Sequence, residues 1–383
     1  QSEKGLSVTN KSARLYGMNR FLCDPNSLLL NSSTALHFSE TMSYMSIHAL
    51  PILALATNSL ILLVVLTNSR LNRSSFSVYI KSMAISDTLV LVLKLMSYEN
   101  KTLQTLYWPS MCTGLVFLSD ASTLLSIWTI VLITVERALV VLFPLRIKKF
   151  VSASRARVLI ILITIVSLIF STRVLFIPID VSPEQKKRCH PISSWQKYRQ
   201  LNETITEFIL CFIPLTIVII GNCITLHTVK RAVFRRHQIL TNHIYLRKSK
   251  SEINENQLML MLLMVTIMFT VYFLPFTIIN VISRWGLPFD LCFTQKSFEN
   301  YLIIRSLCEF LKDLNFCTNF IIYCISGHKF RYAFFSFIRR CNRLFPSLRY
   351  SKSKKHHSEQ LLQVNVQKTY DLNLKQAYKE SQV

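Results

Sequence analysis

The sequence predicts an all-α membrane protein, a bundle of seven transmembrane helices followed by a short amphipathic helix, and three observations carry that prediction. About half of the 383 residues are hydrophobic (51%) and only 17% are charged, which is not the balance of a soluble domain. Apolar stretches fall at about 46–67, 78–98, 113–142, 158–178, 205–228, 258–282 and 301–325, each long enough for a hydrocarbon core of ~30 Å. The basic residues behind the net charge of +24 cluster in alternate connections, the pattern of a multi-pass chain and not of a nucleic-acid-binding surface.

In lipid every backbone polar group needs an internal partner, so these stretches are read as helices, with Pro214 and Pro275 as kinks and not ends. Arg70 and Arg73 follow the first stretch. Arg146, Lys148, Lys149, Arg155 and Arg157 follow the third, and Lys230, Arg231, Arg235, Arg236, Arg247, Lys248 and Lys250 follow the fifth. The chain after the seventh is also basic, so these regions are placed in the cytoplasm and the amino terminus outside. The connection between the fourth and fifth stretches, with Lys186, Lys187, Arg188, Lys197 and Arg199, runs against this and is outvoted. The expected organisation is an extracellular glycosylated arm over 1–45, the bundle over 46–326, an amphipathic membrane-surface helix over 327–341 and a disordered cytoplasmic tail over 342–383.

Sequons at Asn10, Asn31, Asn100 and Asn202 all fall on the expected outside, while Asn72 falls inside and is read as unused. Cys23, Cys112, Cys189 and Cys292 also fall outside, where disulfides persist, and four cysteines allow three connectivities. Cys211, Cys223, Cys308, Cys317 and Cys324 lie within helices and are read as packing residues. After the seventh helix, Phe330, Phe334, Phe337 and Ile338 fall on one face toward lipid, with Arg331, Arg339 and Arg340 in reach of headgroups. Cys341 is a palmitoylation site or else a free thiol. The ending Ser381-Gln382-Val383 suits strand addition to a PDZ domain.

The third helix carries the most information. From Cys112 to Glu136-Arg137 its only charge is Asp120, and as one helix it spans ~37 Å. Pro144 follows seven residues after Arg137. Other helices add polar marks at fixed spacing: Asn58 in the first; Asp87 in the second; Ser126 and Ile127 in the third; Pro214 in the fifth; Phe269 to Pro275 in the sixth; and Asn315 with Asn319 to Tyr323 in the seventh. Taken together, residues 46 to about 341 resemble the rhodopsin-like (class A) G-protein-coupled receptors. Asn319-Phe-Ile-Ile-Tyr323 followed by Gly327-His-Lys-Phe-Arg resembles the invertebrate FMRFamide and myosuppressin receptor group within them.

The resemblance implies several roles. It selects a Cys112–Cys189 disulfide, after which Cys23–Cys292 would tie the amino-terminal arm to the third outer loop. Asp87, Ser126, Asn315 and Asn319 correspond to a sodium site that favours the inactive state; the alternative is a hydrogen-bonded, hydrated polar core without an ion. Arg137 and Glu255 correspond to an inactive-state latch, against the alternative of two solvated charges. Ile127, Pro214 and Phe269 correspond to a packing trio that rearranges as helix six swings out about Pro275, with Phe273 at the toggle position. A heterotrimeric G protein and arrestin are the implied inner partners, the plasma membrane the location, and no catalytic activity is implied.

The chain also departs from the family pattern. Ala138 follows Arg137 in place of an aromatic, helix four lacks its tryptophan, Asn222 stands for a tyrosine in helix five, Phe273 for a tryptophan, and Phe320 for a proline. The amine-binding acid position holds Ser119, with Asp120 rotated by about 100° from it. The retinal-lysine position holds Asp313 with Lys312 one residue away, so an amine and retinal are both disfavoured.

The expected ligand is a short amidated neuropeptide. Lys94, Ser119, Asp120, Arg305, Glu309 and Asp313 would line its site, with Arg284 and Trp285 at the mouth and Asp120, Glu309 and Asp313 as counter-charges for a basic group. Arg305 and Glu309 are spaced to form a ladder that continues to Lys312 or Asp313. The alternatives of the same fold are an opsin-like light receptor or a receptor for a non-peptide small molecule. A transporter or channel would call for internal repeats and helices broken at the midplane, which the sequence does not show.

Overall fold

The computed structural model describes residues 34–72, 74–103, 109–143, 152–176, 179–180, 190–191, 196–240, 250–285 and 295–344. Helix α1 spans Thr34–Thr67, with a π-helical turn at Met45–Ala49. α2 covers Ser75–Leu103 and α3 Pro109–Leu142. α4 covers Ala153–Ser171 and closes in a 3-10 turn at Thr172–Phe176. α5 joins Gln196–Glu207, a π-helical turn at Phe208–Phe212 and Ile213–Leu240. α6 is Lys250–Trp285, α7 Gln295–Ser326 and α8 His328–Leu344.

α1 starts at Thr34, well before the apolar stretch at 46. The added turns are polar, so hydropathy does not reveal them, yet Ala35 and Ser39 are buried and the Ser306 hydroxyl of α7 donates to that of Ser39 at 2.7 Å. The two π turns sit just ahead of Pro51 and Pro214. A proline ring clashes with the carbonyl four residues back, and a widened turn there relieves the clash while the helix continues. Pro275 stays inside α6 without such a turn. Between α4 and α5 a two-residue antiparallel pair, β1 (Ile179–Asp180) with β2 (His190–Pro191), is a small departure from the all-α expectation.

α3 packs against α2, α4, α5 and α6, while α7 packs against α1, α2 and α6. The closest approach of α3 to α5 depends on Gly221: a methyl group there would lie 2.5 Å from Cγ2 of Thr134. Threonine and serine hydroxyls inside the helices mostly bond their own carbonyls one turn back, as Thr129 does to Leu125 at 2.6 Å and Thr225 to Gly221 at 2.8 Å. A polar side chain thereby crosses an apolar region with its hydroxyl satisfied.

Among the described residues, six helices, α1 to α6, are long and apolar enough to cross a membrane. α7 is as long but carries Arg305, Glu309, Lys312 and Asp313 within four turns. The outward faces are apolar: Val166 and Ile169 on α4 are 63% and 66% exposed. Water does not tolerate an apolar surface of this extent on a monomer, whereas lipid does.

The chain divides into two units, 1–330 and 331–383. In the first, Phe330 is not on an outward face, as expected from the sequence, but fully buried with its ring 5.5 Å from that of Tyr323 and 5.9 Å from that of Phe320. In the second, Arg339 and Arg340 are exposed and Cys341 is a half-buried free thiol near the end of α8.

Candidate functional site

Three polar clusters interrupt the apolar bundle. The middle one centres on Asp87 of α2, fully buried. Ser126 of α3 donates to one carboxylate oxygen and Asn319 of α7 to the other at 2.8 Å. Asn315 is also buried, but its amide nitrogen has no hydrogen-bond partner among the described residues. The Tyr323 hydroxyl and the Thr318 hydroxyl are likewise buried and unmatched there, and Asn58 bridges Thr88 and the Phe316 carbonyl while its own oxygen is unmatched. The Asp87 carboxylate, answered only by neutral donors among the described residues, thus joins α2, α3 and α7, and Asn58 ties α1 to α2 and α7 beside it.

At one end of α3, Arg137 donates to Glu136 at 2.6 Å, and the second oxygen of Glu136 accepts from the Tyr79 hydroxyl of α2 at 2.5 Å. Tyr79 was not singled out in the sequence, since a buried tyrosine in an apolar helix carries no signal by itself. Nearby, Thr266 of α6 donates to Asn222 of α5 at 2.7 Å, so the residue that replaces the family's tyrosine forms a buried neutral link between these helices. The side chain of Glu255 and all of Pro144 lie outside the described residues, so the Arg137–Glu255 latch is not seen.

Between these clusters Ile127, Pro214 and Phe269 are all buried. Phe269 stacks on Phe273 at 4.4 Å, and Phe273 meets Phe316 of α7 edge-on at 6.4 Å.

The opposite end of the bundle holds a second set of ion pairs. Asp313 of α7 is held by Lys94 of α2 and by the Ser46 hydroxyl, which the π turn of α1 presents. Lys94 also donates to Ser46 at 2.8 Å. Arg305 and Glu309 form the expected ladder pair at 3.0 Å, and Lys312 lies 3.5 Å from Asp313.

Asp120 behaves differently from its expected role as an open counter-charge. Arg173 at the end of α4 pairs with it at 2.9 Å, and the Ser171 hydroxyl donates to it at 2.7 Å. Arg173 also donates to Thr206 of α5 at 2.8 Å and covers the Phe170 ring at 3.9 Å, so one guanidinium fastens α3, α4 and α5. Its signal in the sequence was a lone charge within the apolar stretch 158–178.

Ser119 accepts from Thr123 through its carbonyl. The side chains of Arg284, Trp285, Cys112 and Asn100, and all of Cys23, Cys189, Cys292, Asn10, Asn31 and the 381–383 ending, lie outside the described residues. Asn202 stands within the first segment of α5, half-buried. Asn72 accepts from Lys81 at 2.9 Å, which suits an unused sequon.

The helical bundle and its buried polar marks define a membrane receptor, and the family model for the seven-transmembrane receptors of the rhodopsin family matches residues 57–323. The chain belongs to that family and is a multi-pass membrane receptor, not an enzyme. Among its relatives is a QRFP-like peptide receptor of Branchiostoma floridae, 25% identical over 303 residues and 76% of each chain. Two galanin receptors of Danio rerio, 2b and 2a, are each 22% identical over 72% of this chain, covering 69% and 72% of their own lengths.

Proposed function

We propose that the protein is a plasma-membrane receptor, amino terminus outside and seven helices through the bilayer, for a short amidated neuropeptide, and that it activates a heterotrimeric G protein by outward movement of α6. The observation that carries the peptide reading is the charged end of the bundle. Lys94, Arg173, Arg305 and Lys312 face Asp120, Glu309 and Asp313 across four helices, while an amine's counter-ion position is the neutral Ser119. A many-charged site fits a ligand with several polar groups better than an amine or retinal. One of the relatives is named as a peptide receptor, which supports the same reading.

At the other end, among the described residues, α6 is joined to α5 by a neutral hydrogen bond, Thr266 to Asn222, and presses on Gly327, where a Cβ would lie 2.3 Å from the sulfur of Met261. Both contacts are weak enough for a ligand's few kcal/mol of differential binding to overcome. Arrestin would use the same opened end, α8 would lie on the inner membrane surface anchored by a palmitoylated Cys341, and a PDZ protein would take Ser381, Gln382 and Val383. The test is a calcium and cAMP screen of cells expressing the full chain against amidated peptides: a saturable response supports the reading, and retinal-dependent absorbance in purified protein would replace it.

The Asp87 cluster is proposed to take a sodium ion. A buried carboxylate with only neutral donors fits a cation, and Ser126, Asn315 and Asn319 would complete its shell. Sodium would there supply a counter-charge that favours the inactive packing. Thermal unfolding in sodium against choline buffer tests this: sodium should stabilise the wild type and leave Asp87→Asn unchanged, and equal stability of the wild type in both buffers points to a hydrated core without an ion.

A further inference from the structure

We propose that Lys312 is an anion-binding residue of the ligand site and that the activating peptide presents a carboxylate to it; this rests on the peptide-receptor reading above. Along the middle of α7 and its contact with α2, the cations Arg305, Lys312 and Lys94 stand against the carboxylates of Glu309 and Asp313. Glu309 is held by Arg305, and Asp313 is held closely by Lys94 and Ser46. Lys312 is left with a distant 3.5 Å approach to a carboxylate it shares. Its ammonium instead lies 4.5 Å from the centre of the Phe276 ring on α6. An aromatic face is a weaker partner for an ammonium than a second carboxylate.

The neighbouring carboxylate, Asp120, is engaged elsewhere. Asp120 is neutralised by Arg173, both about 14% exposed, and is turned toward α4 and α5. Of Lys94, Arg305 and Lys312, Lys312 is therefore the one whose approach to a carboxylate is the longest, and to a carboxylate already held by another cation. Lys312 faces α6, the helix whose movement the receptor reading requires, and its side chain keeps 27% of its exposure. A carboxylate arriving there would form a charge-assisted contact in a partly desolvated setting and would tie α7 to the ligand beside α6.

Two measurements on the full chain decide the matter. The first is thermal unfolding of the purified receptor without ligand. Lys94→Gln should lower the midpoint by about 5 °C or more, because it strips Asp313 of its close partner. Lys312→Gln should leave the midpoint within about 1 °C or raise it. An equal loss in both variants would make Lys312 a structural partner of Asp313 and overturn the proposal.

The second uses short peptides in matched forms: amidated with a central Glu, Gln or Lys, and central Gln with a free terminal carboxylate. The wild type should prefer a carboxylate form, and the Glu-amide against the free acid tells a side chain from a terminus. Lys312→Gln should cost that form about 10- to 100-fold in potency. Lys312→Glu should shift the preference to the Lys form. A wild type that prefers the Lys form, or a potency order unchanged in Lys312→Gln, overturns the proposal and leaves the peptide reading intact. Silence to every form at normal surface expression removes both.

Discussion

The two ends of the bundle handle charge in opposite ways. At the Arg137 end the ion pair is made by adjacent residues of one helix, Glu136 and Arg137, steadied by Tyr79 at 2.5 Å. Among the described residues the links from α6 to its neighbours there are neutral: Thr266 to Asn222, and Met261 against Gly327. At the Lys94 end, beside the Arg305–Glu309 and Lys312–Asp313 pairs within α7, two ion pairs run between helices, Lys94 to Asp313 joining α2 and α7, and Asp120 to Arg173 joining α3 and α4. Partly buried pairs of this kind are costly to break by halves, whereas a neutral hydrogen bond contributes only about 1 kcal/mol. The difference puts the stiff end where a ligand would be recognised and the compliant end where α6 would move.

The comparison is broken most directly by removing Arg173. Arg173→Met leaves Asp120 with only Ser171 and should destabilise the receptor by about 3–5 kcal/mol, read as lost surface expression and a lower unfolding midpoint. The double variant Asp120→Asn with Arg173→Met should recover much of that loss, as no bare charge remains. Next in size is Gly221→Val, which drives a side chain into Thr134 across the α3–α5 contact and should cost about 1–3 kcal/mol, with partial rescue by Thr134→Ala.

Smaller effects test the compliant end. Thr266→Val leaves the Asn222 amide unmatched and costs the resting packing about 1 kcal/mol, so ligand-free signalling should rise about fivefold at equal surface expression. Tyr79→Phe frees one oxygen of Glu136 and should raise ligand-free signalling by a smaller factor, at most about fivefold. Unchanged basal signalling in both variants would place the resting restraint elsewhere, with Arg137 and Glu255 the next pair to test.

Much of this was legible in the sequence. Apolar length located the helices because a hydrocarbon core sets one length for all of them. The Asp87 cluster was legible because a carboxylate in an apolar helix has to find partners, and Ser126 and Asn319 are those partners. Pairings between helices were harder, since they depend on how each helix is rotated. Asp120 was read as open because its partner Arg173 lies 53 residues away on another helix. The early start of α1 was hidden because Thr34–Tyr44 is polar and held by α7 through Ser39. Phe330 was placed toward lipid by helical periodicity, which does not register that Tyr323 and Phe320 of the preceding helix cover it.

The central claim is that activation opens the neutral end while the charged end holds. Spin labels placed by cysteine substitution at the exposed positions Leu142 on α3 and Leu260 on α6, and in a second sample at Val116 on α3 and Leu175 after α4, report the two ends separately by pulsed dipolar distance measurement. With the most potent peptide from the screen and a G protein present, the Leu142–Leu260 distance should lengthen by several ångströms and the Val116–Leu175 distance should stay within about 1 Å. Equal movement at both ends, or lengthening only between Val116 and Leu175, would contradict the account.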